Sequence, residues 1–401
     1  MKIRPIILCG GEGTRLWKKS FNNEPKQFIN FGGWTLIEKT LNRIKDPIYD
    51  YPVISTNKKY LKKIKFFLKK NKFSKYKIIL EPAKKNTAPA VLSSALIRDI
   101  PNKQPLLFLP SDHLLEKNNI FNKNLVKHLK YLNNKNIFLF GIKPDHPSKE
   151  YGYLKIKKGS NNLNKIEKFI EKPSIKKAKH LIKRNGLWNS GMFFARKDSI
   201  INNFKEFDRK TFKSCYLSMY KSHQKRNIIL LNKRYFSTSP TNSFDYAILE
   251  KSANINCIIS KISWTDLGNW KEILKIFKKN KFKYFKKSNV FKRPWGRYIN
   301  LFRGNNFLIK ELTINSKSSI SLQKHNHRSE HWTVSEGRPR ITLNKKKFFI
   351  KQNESVFIPI KTIHRIENFY KKPVKIMEAQ IGSILKENDI VRYQDKYGRI
   401  N

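Results

Sequence analysis

At 401 residues the chain is long enough for two domains or one large one. Its 85 Lys and Arg against 29 Asp and Glu give a formal charge of +56. The lysines are spread among Asn, Ile, Phe and Tyr along the whole length. This reads as compositional drift rather than a patch for specific nucleic-acid binding, and it leaves a general attraction for phosphorylated ligands. Cys9, Cys215 and Cys257 have no paired spacing, which argues against a disulfide framework or a cysteine zinc site and fits a reducing cytoplasm. No apolar run has the length of a signal-peptide core or a membrane span.

The first element is Ile6-Ile7-Leu8-Cys9, an apolar run that reads as a buried strand. Gly10, Gly11 and Gly13 follow at once, then Thr14 and Arg15. Without Cβ atoms the backbone can turn sharply and bring its N–H groups against a phosphate, while Arg15 adds a cationic fork. The spacing is that of neither the Gly-Lys-Ser/Thr phosphate loop nor the dinucleotide fingerprint. Lys26, in Pro25-Lys26-Gln27-Phe28, lies close enough in sequence to reach the same pocket. Val53–Ser55, Ile78–Leu80, Leu106–Leu109 and Ile137–Gly141 read as further strands, with helical spacing over Tyr60–Leu68. Asn86 or Thr87 can cap a helix that has Pro89 in its first turn. This alternation predicts a mostly parallel sheet with helices on both faces, whose ligands bind beyond the carboxyl ends of the strands. Asp112, in Pro110-Ser111-Asp112-His113, falls at such an end. Together with Asp266, in Trp264-Thr265-Asp266-Leu267, it suits Mg²⁺ bridging phosphate oxygens; a helix cap is the alternative for Asp112.

Between these blocks lie Tyr151-Gly152-Tyr153, Glu171-Lys172-Pro173 and Asn189-Ser190-Gly191. Their mix of aromatic, Gly and polar residues suits a sugar pocket or, equally, a turn beside the core. Residues 1–270 form the expected first domain and 271–289, rich in Lys and Phe, a linker. Residues 290–401, with short alternating segments, form an expected all-β domain. There Gln323 and His325, two apart on a strand, share a face. Glu330 from the next strand and His364 from a partner hairpin complete a first shell for Zn²⁺ or another divalent metal.

Together these blocks resemble the bifunctional mannose-1-phosphate guanylyltransferase/mannose-6-phosphate isomerase family. The likeness runs from Gly10-Gly11-Glu12-Gly13-Thr14-Arg15-Leu16-Trp17 to Tyr397-Gly398-Arg399 and includes Trp188-Asn189-Ser190-Gly191, Arg293-Pro294-Trp295-Gly296 and the Gln323–Trp332 run. It implies an α/β, Rossmann-like nucleotidyltransferase domain with a mixed, mostly parallel sheet, followed by a C-terminal all-β cupin (jelly-roll) barrel. The first domain would make GDP-mannose and pyrophosphate from GTP and mannose 1-phosphate. Gly10, Gly11, Gly13, Thr14, Asn86 and Thr87 would line the nucleotide. Arg15 and Lys26 would hold the phosphates, and Asp112 and Asp266 the Mg²⁺. Gly152, Glu171, Lys172, Asn189 and Gly191 would line the mannose. The cupin would interconvert mannose 6-phosphate and fructose 6-phosphate through a metal on Gln323, His325, Glu330 and His364. Arg392 would meet the substrate, with His327 or Lys324 as base. The chain departs from the family pattern at Lys18, Phe21 and Lys85, and it lacks a β-rich stretch before Arg293. A homo-oligomer is left open. The rival readings are a guanylyltransferase with a structural cupin, a pyrophosphorylase of other base or sugar specificity, and a polyanion-binding protein.

Overall fold

In the computed structural model, residues 1–11, 25–29, 34–159, 163–267, 290–303 and 306–399 are described. They divide into two compact units, one of the residues up to 267 and one from 290 onward. The strands of the first unit are, in chain order, β1 (Arg4–Cys9), β2 (Val53–Asn57), β3 (Lys77–Glu81), β4 (Pro105–Pro110), β5 (Leu114–Glu116), β6 (Ile137–Ile142), β7 (Tyr153–Lys158), β8 (Asn164–Ile170), β9 (Leu187–Arg196), β10 (His223–Lys225), β11 (Ile228–Leu230), β12 (Ile255–Ser260) and β13 (Ser263–Thr265). Eleven of them form one sheet, ordered β10-β11-β3-β2-β1-β4-β9-β6-β12-β8-β7, and β5 pairs with β13 apart from it.

The apolar runs are continuous because both faces of the sheet are buried. Alternation sends Ile7, Ile54, Ile78 and Leu107 to one face and Ile6, Val53, Ile79 and Leu106 to the other. Helices Leu36–Arg43 and Leu61–Lys70 cover the first face, and helices Thr87–Ala95 and Lys197–Phe207 the second. Thr35 starts the first of these with a capping box: its N–H donates to Glu38 Oε2 at 2.8 Å, and its hydroxyl accepts from the Glu38 N–H at 3.3 Å. All three cysteines are buried in this unit.

The sheet is less uniformly parallel than the alternation predicts. Strands β11-β3-β2-β1-β4 and the pair β6-β12 are parallel, but β9 runs antiparallel between β4 and β6. The reason is the short connection between β7 and β8, a hairpin that reverses the chain. The helix Ile175–Lys183 then returns it to enter as β9 in the reversed sense.

The strand ends place the chemistry. Cys9 registers with Thr56, Asn57 with Glu81, and Leu8 with Pro110. Gly10, Glu81 and Asp112 therefore emerge at one edge. Because β9 is reversed, its beginning lies at the same edge, with Asn189 opposite Gly141 at the end of β6.

The second unit is all-β. Its strands are β14 (Val290–Arg293), β15 (Gly296–Arg303), β16 (Phe307–Ile314), β17 (Ser318–Ser319), β18 (Leu322–His325), β19 (Arg328–Glu336), β20 (Arg340–Leu343), β21 (Lys346–Phe349), β22 (Ser355–Ile358), β23 (His364–Asn368), β24 (Val374–Gly382) and β25 (Ile390–Gln394). They form two antiparallel sheets, β14-β15-β16-β24-β19-β22 and β21-β20-β23-β18-β25, with β17 on β23. Ile314, Trp332, Val334, Ile341, Ile366 and Ile376 fill the core as a cupin requires. No helix among the described residues is long and apolar enough to cross a membrane.

Candidate active sites

The first site is a cleft of about 760 Å³ at the carboxyl edge of the large sheet. Gly10 and Gly11 form one lip. Buried Gln27 holds that lip, its amide nitrogen donating to the Gly11 carbonyl at 3.0 Å. Its neighbour Lys26 is buried too, and its ammonium reaches Asp112 Oδ2 at 2.9 Å and donates to the Asp266 carbonyl. One lysine thus draws together the turns after β4 and β13. The hydroxyl of Tyr151 donates to Asp266 Oδ1 at 3.2 Å. Burial opposes ionisation of Asp112, but the Lys26 and His113 charges outweigh it and lower the carboxyl to about 2. Asp112 is followed by β5, not by a helix, so the capping alternative does not hold. An ionised carboxylate beside a second acidic side chain, open to the cleft, fits the sparse protein ligation that Mg²⁺ accepts when phosphate oxygens fill its other positions.

Asn86 caps the helix Thr87–Ala95, its Oδ1 accepting from the Thr87 N–H at 2.8 Å in a left-handed conformation with φ of 67°. Thr87 turns its hydroxyl elsewhere, to accept from the Phe244 N–H at 2.9 Å. Gly152, Glu171, Lys172, Asn189 and Gly191 also line the cleft, Gly191 beside His113. A Cβ on Gly152 would lie 2.7 Å from Glu171 Oε2, so the glycine makes room for that carboxylate. Lys172 lies 2.9 Å from Glu171 Oε1. Gly13, Thr14 and Arg15 lie outside the described residues, as do Lys18 and Phe21.

The second site is built on the inner faces of β18, β19, β23 and β24. Gln323 registers with His364 across β18 and β23. The ligand atoms of His325, Glu330 and His364 lie within 4.8 Å of one another, all buried. Both rings are held from behind through Nδ1. His364 faces the Thr362 carbonyl at 2.8 Å and His325 the Asp389 carbonyl at 3.4 Å, which turns each Nε2 inward. His364 Nε2 is buried with no hydrogen-bond partner among the described residues. Burial pushes this imidazole down to about 4, leaving it neutral. Burial also opposes ionisation of Glu330, yet His325 and Arg328 hold its carboxyl well below the usual range. Two inward imidazoles, one of them orphaned, beside an ionised carboxylate fit a divalent metal.

Gln323 departs from the expectation. Its Oε1 accepts from Ser321 at 2.7 Å, and its nitrogen lies 3.5 Å from His325 Nε2. Oxygen ligation would need the amide turned by half a revolution, which the Ser321 hydroxyl tolerates by accepting instead of donating. Neither base candidate lines the inner cavity. Lys324 points to the other side of β18, its ammonium 5.5 Å from the Tyr393 ring centre. His327 is half exposed and bound to Asp389 at 2.8 Å. Arg392 does line the inner cavity, opposite Gln323, with its Nε buried and without a partner among the described residues.

Several groups escaped sequence reasoning. Glu81 is buried at the end of β3, accepts from Ser55 at 2.7 Å, and is pushed by burial up to about 7. In the cupin, Glu378 pairs across strands with Trp332, whose indole N–H donates to both Glu330 at 3.0 Å and Glu378 at 3.1 Å. Burial and then the Glu330 charge push Glu378 up to about 7, with Lys310 at 3.6 Å. Alternation could have found it, since Val374 and Ile376 point the same way into the core.

Gly10 and Gly11 beside a lysine–carboxylate cluster at the edge of a wound α/β sheet define a nucleotidyltransferase, and the all-β unit is of the cupin class. The chain belongs to the nucleotidyl transferase family, whose model matches residues 4–282, and it carries a mannose-6-phosphate isomerase C-terminal domain over residues 279–395. It is 29% identical to an alginate biosynthesis protein of Pseudomonas fluorescens, with 98% of this chain and 96% of that one covered. It is 28% identical to a mannose-1-phosphate guanylyltransferase of Escherichia coli, covering 100% and 99%. A mannose-6-phosphate isomerase structure from Helicobacter pylori matches at 26% identity with a TM-score of 0.57, over 66% of this chain and all of that one. The Pseudomonas alignment runs over 467 positions against 401 residues here, so at least 66 of them face no residue of this chain.

Proposed function

We propose that the chain makes GDP-mannose and pyrophosphate from GTP and mannose 1-phosphate, and that its cupin interconverts mannose 6-phosphate and fructose 6-phosphate. The observation that carries the first activity is the Lys26 ammonium seated between Asp112 and Asp266 in the cleft that Gly10 and Gly11 line. An oxygen of the sugar phosphate attacks the α-phosphorus of GTP in line, and the bond to the β-phosphate oxygen breaks to release pyrophosphate. Lys26 neutralises charge at the α-phosphate, and the Gly10–Gly11 backbone lies against the phosphates. Arg15, outside the described residues, is assigned the departing pyrophosphate. Mg²⁺ on Asp112 and Asp266 would neutralise phosphate oxygens. In the cupin, a Zn²⁺ or similar ion on His325, Glu330 and His364 would polarise the sugar carbonyl. Arg392 and Lys310 supply positive charge for the substrate phosphate.

The test is pyrophosphate release from the purified protein with Mg²⁺, mannose 1-phosphate and each of the four NTPs. Release is expected with GTP and should fall at least a hundredfold in Asp112→Ala. Release with another NTP instead would refute the guanylyltransferase assignment.

A further inference from the structure

The cavity of the cupin is small. It measures about 60 Å³ against about 760 Å³ for the first cleft, where ligand pockets usually run to about 300–1,000 Å³. Arg293, Tyr298, Lys310, Glu387 and Arg392 are among the residues that line it. Glu387 opens the single turn Glu387–Asp389 that precedes β25. Its Oε1 accepts from the Tyr298 hydroxyl at 3.0 Å and from Arg293 Nη2, and the same Arg293 nitrogen donates to the Tyr298 hydroxyl at 3.2 Å. Burial opposes ionisation of Glu387, yet Arg293 and Tyr298, with Lys310 beyond them, hold its carboxyl below the usual range. Arg392 and Arg399 feel its charge as well. Asp395 engages Arg399 at 2.7 Å and Glu378 lies 3.6 Å from Lys310, which leaves Glu387, among the described residues, to Arg293. The backbone on either side is pinned: the Lys386 carbonyl accepts from Arg328 Nη1 at 2.8 Å, and the Asp389 carboxyl accepts from the Asn326 N–H at 3.2 Å. The Glu387 side chain itself is half exposed at the rim.

We propose that the Glu387 carboxylate holds the place of the substrate's phosphate in the cupin, and that a phosphorylated sugar binds by displacing it from Arg293 and Tyr298. The inference rests on the isomerase reading and deepens it. A carboxylate carries one negative charge, whereas a phosphate monoester carries about 1.5 to 2 at pH 7 and offers three strong acceptor oxygens. Among this many cations the phosphate is the stronger ligand, and it can engage the guanidinium fork and the phenol together. Arg392 adds a donor that Glu387 leaves unused, since its Nε is buried without a partner among the described residues. An ion pair as exposed as Arg293–Glu387 breaks at little cost, and the released carboxylate turns into water. With the backbone pinned at Lys386 and Asp389, a side-chain swing is the movement that clears the rim. A free hexose brings no charge and leaves the pair closed.

The sign of one substitution separates a placeholder from a support. Glu387→Gln keeps the size of the side chain and removes the competing charge. Inorganic phosphate is titrated by calorimetry into the full-length wild type, Glu387→Gln and the double variant Glu387→Gln/Arg293→Gln, and KM for fructose 6-phosphate is measured on the same preparations. The expected result is phosphate bound about threefold or more tightly by Glu387→Gln than by wild type, with KM for fructose 6-phosphate lowered by a similar factor and the gain lost in the double variant. Phosphate binding that is unchanged or weaker in Glu387→Gln would overturn the proposal and leave Glu387 as a support for Arg293. A gain that survives in the double variant would overturn it too, because the effect would then arise away from Arg293. Should the wild type fail to interconvert the two sugar phosphates, the isomerase reading falls, while the phosphate titration still decides the role of Glu387.

Discussion

Glu81 shows what a single buried carboxyl costs. It stands at the end of a parallel strand with one hydroxyl donor, Ser55, and its carboxyl is raised from an ordinary 4.5 to about 7. The folded protein therefore holds this proton more tightly than the unfolded chain. Its contribution is fully present below about pH 4.5 and is lost as pH rises through about 7. Glu81→Gln removes the dependence. Its melting temperature should match wild type near pH 4 and exceed it at pH 8, by an amount worth about 3 kcal/mol at most. Thermal unfolding across this range is the check; a difference independent of pH would contradict it. Nothing in Leu80-Glu81-Pro82 signals that burial, because a Glu before Pro reads as the exposed end of a strand.

Among the elements, β19 and β24 carry the cupin chemistry as a pair. Trp332 opposes Glu378 and Glu330 opposes Gln380, so one inward face holds two carboxylates, an indole and an amide. The Gln380 amide donates to Glu330 at 3.0 Å and to Glu378 at 2.9 Å. Trp332→Phe deletes the N–H that both carboxylates share and leaves a mostly apolar ring in its place. Metal affinity, read by competition with a chelating dye, should fall about 10–100-fold, the range for such supporting contacts. Unchanged affinity would mean that Gln380 and Arg328 alone hold Glu330. Much at this scale was legible in the sequence. Continuous apolar runs marked the strands buried on both faces, and His325, Glu330 and His364 announced themselves by spacing. The reversed β9 was not legible, because period-two patterning is the same in either direction. Its reversal is what delivers Asn189 and Gly191 to the cleft.

For the molecule as a whole, the described members of the lysine–carboxylate cluster belong to the unit up to 267, and those of the imidazole–carboxylate cluster to the unit from 290. Loss of one should spare the other. His364→Ala is expected to abolish isomerisation of fructose 6-phosphate and strip the bound metal, while pyrophosphate release stays within twofold of wild type. A matching loss in both assays would show that the two sites depend on each other. The formal charge of +56 acts on both alike, drawing phosphorylated substrates inward at low salt. Composition carried that much, but it could not separate a polyanion binder from an enzyme. The arrangement of a few acidic side chains did.

The three thiols of the first unit have a practical consequence. Burial pushes Cys9, Cys215 and Cys257 each up to about 12, so none is a nucleophile while the fold is closed. They sit at distinct places: Cys9 at the end of β1, Cys215 on a helix covering one face, Cys257 within β12. The native chain thus carries three silent reporters, and the order in which they take up a maleimide is a clock for which part of the sheet opens first.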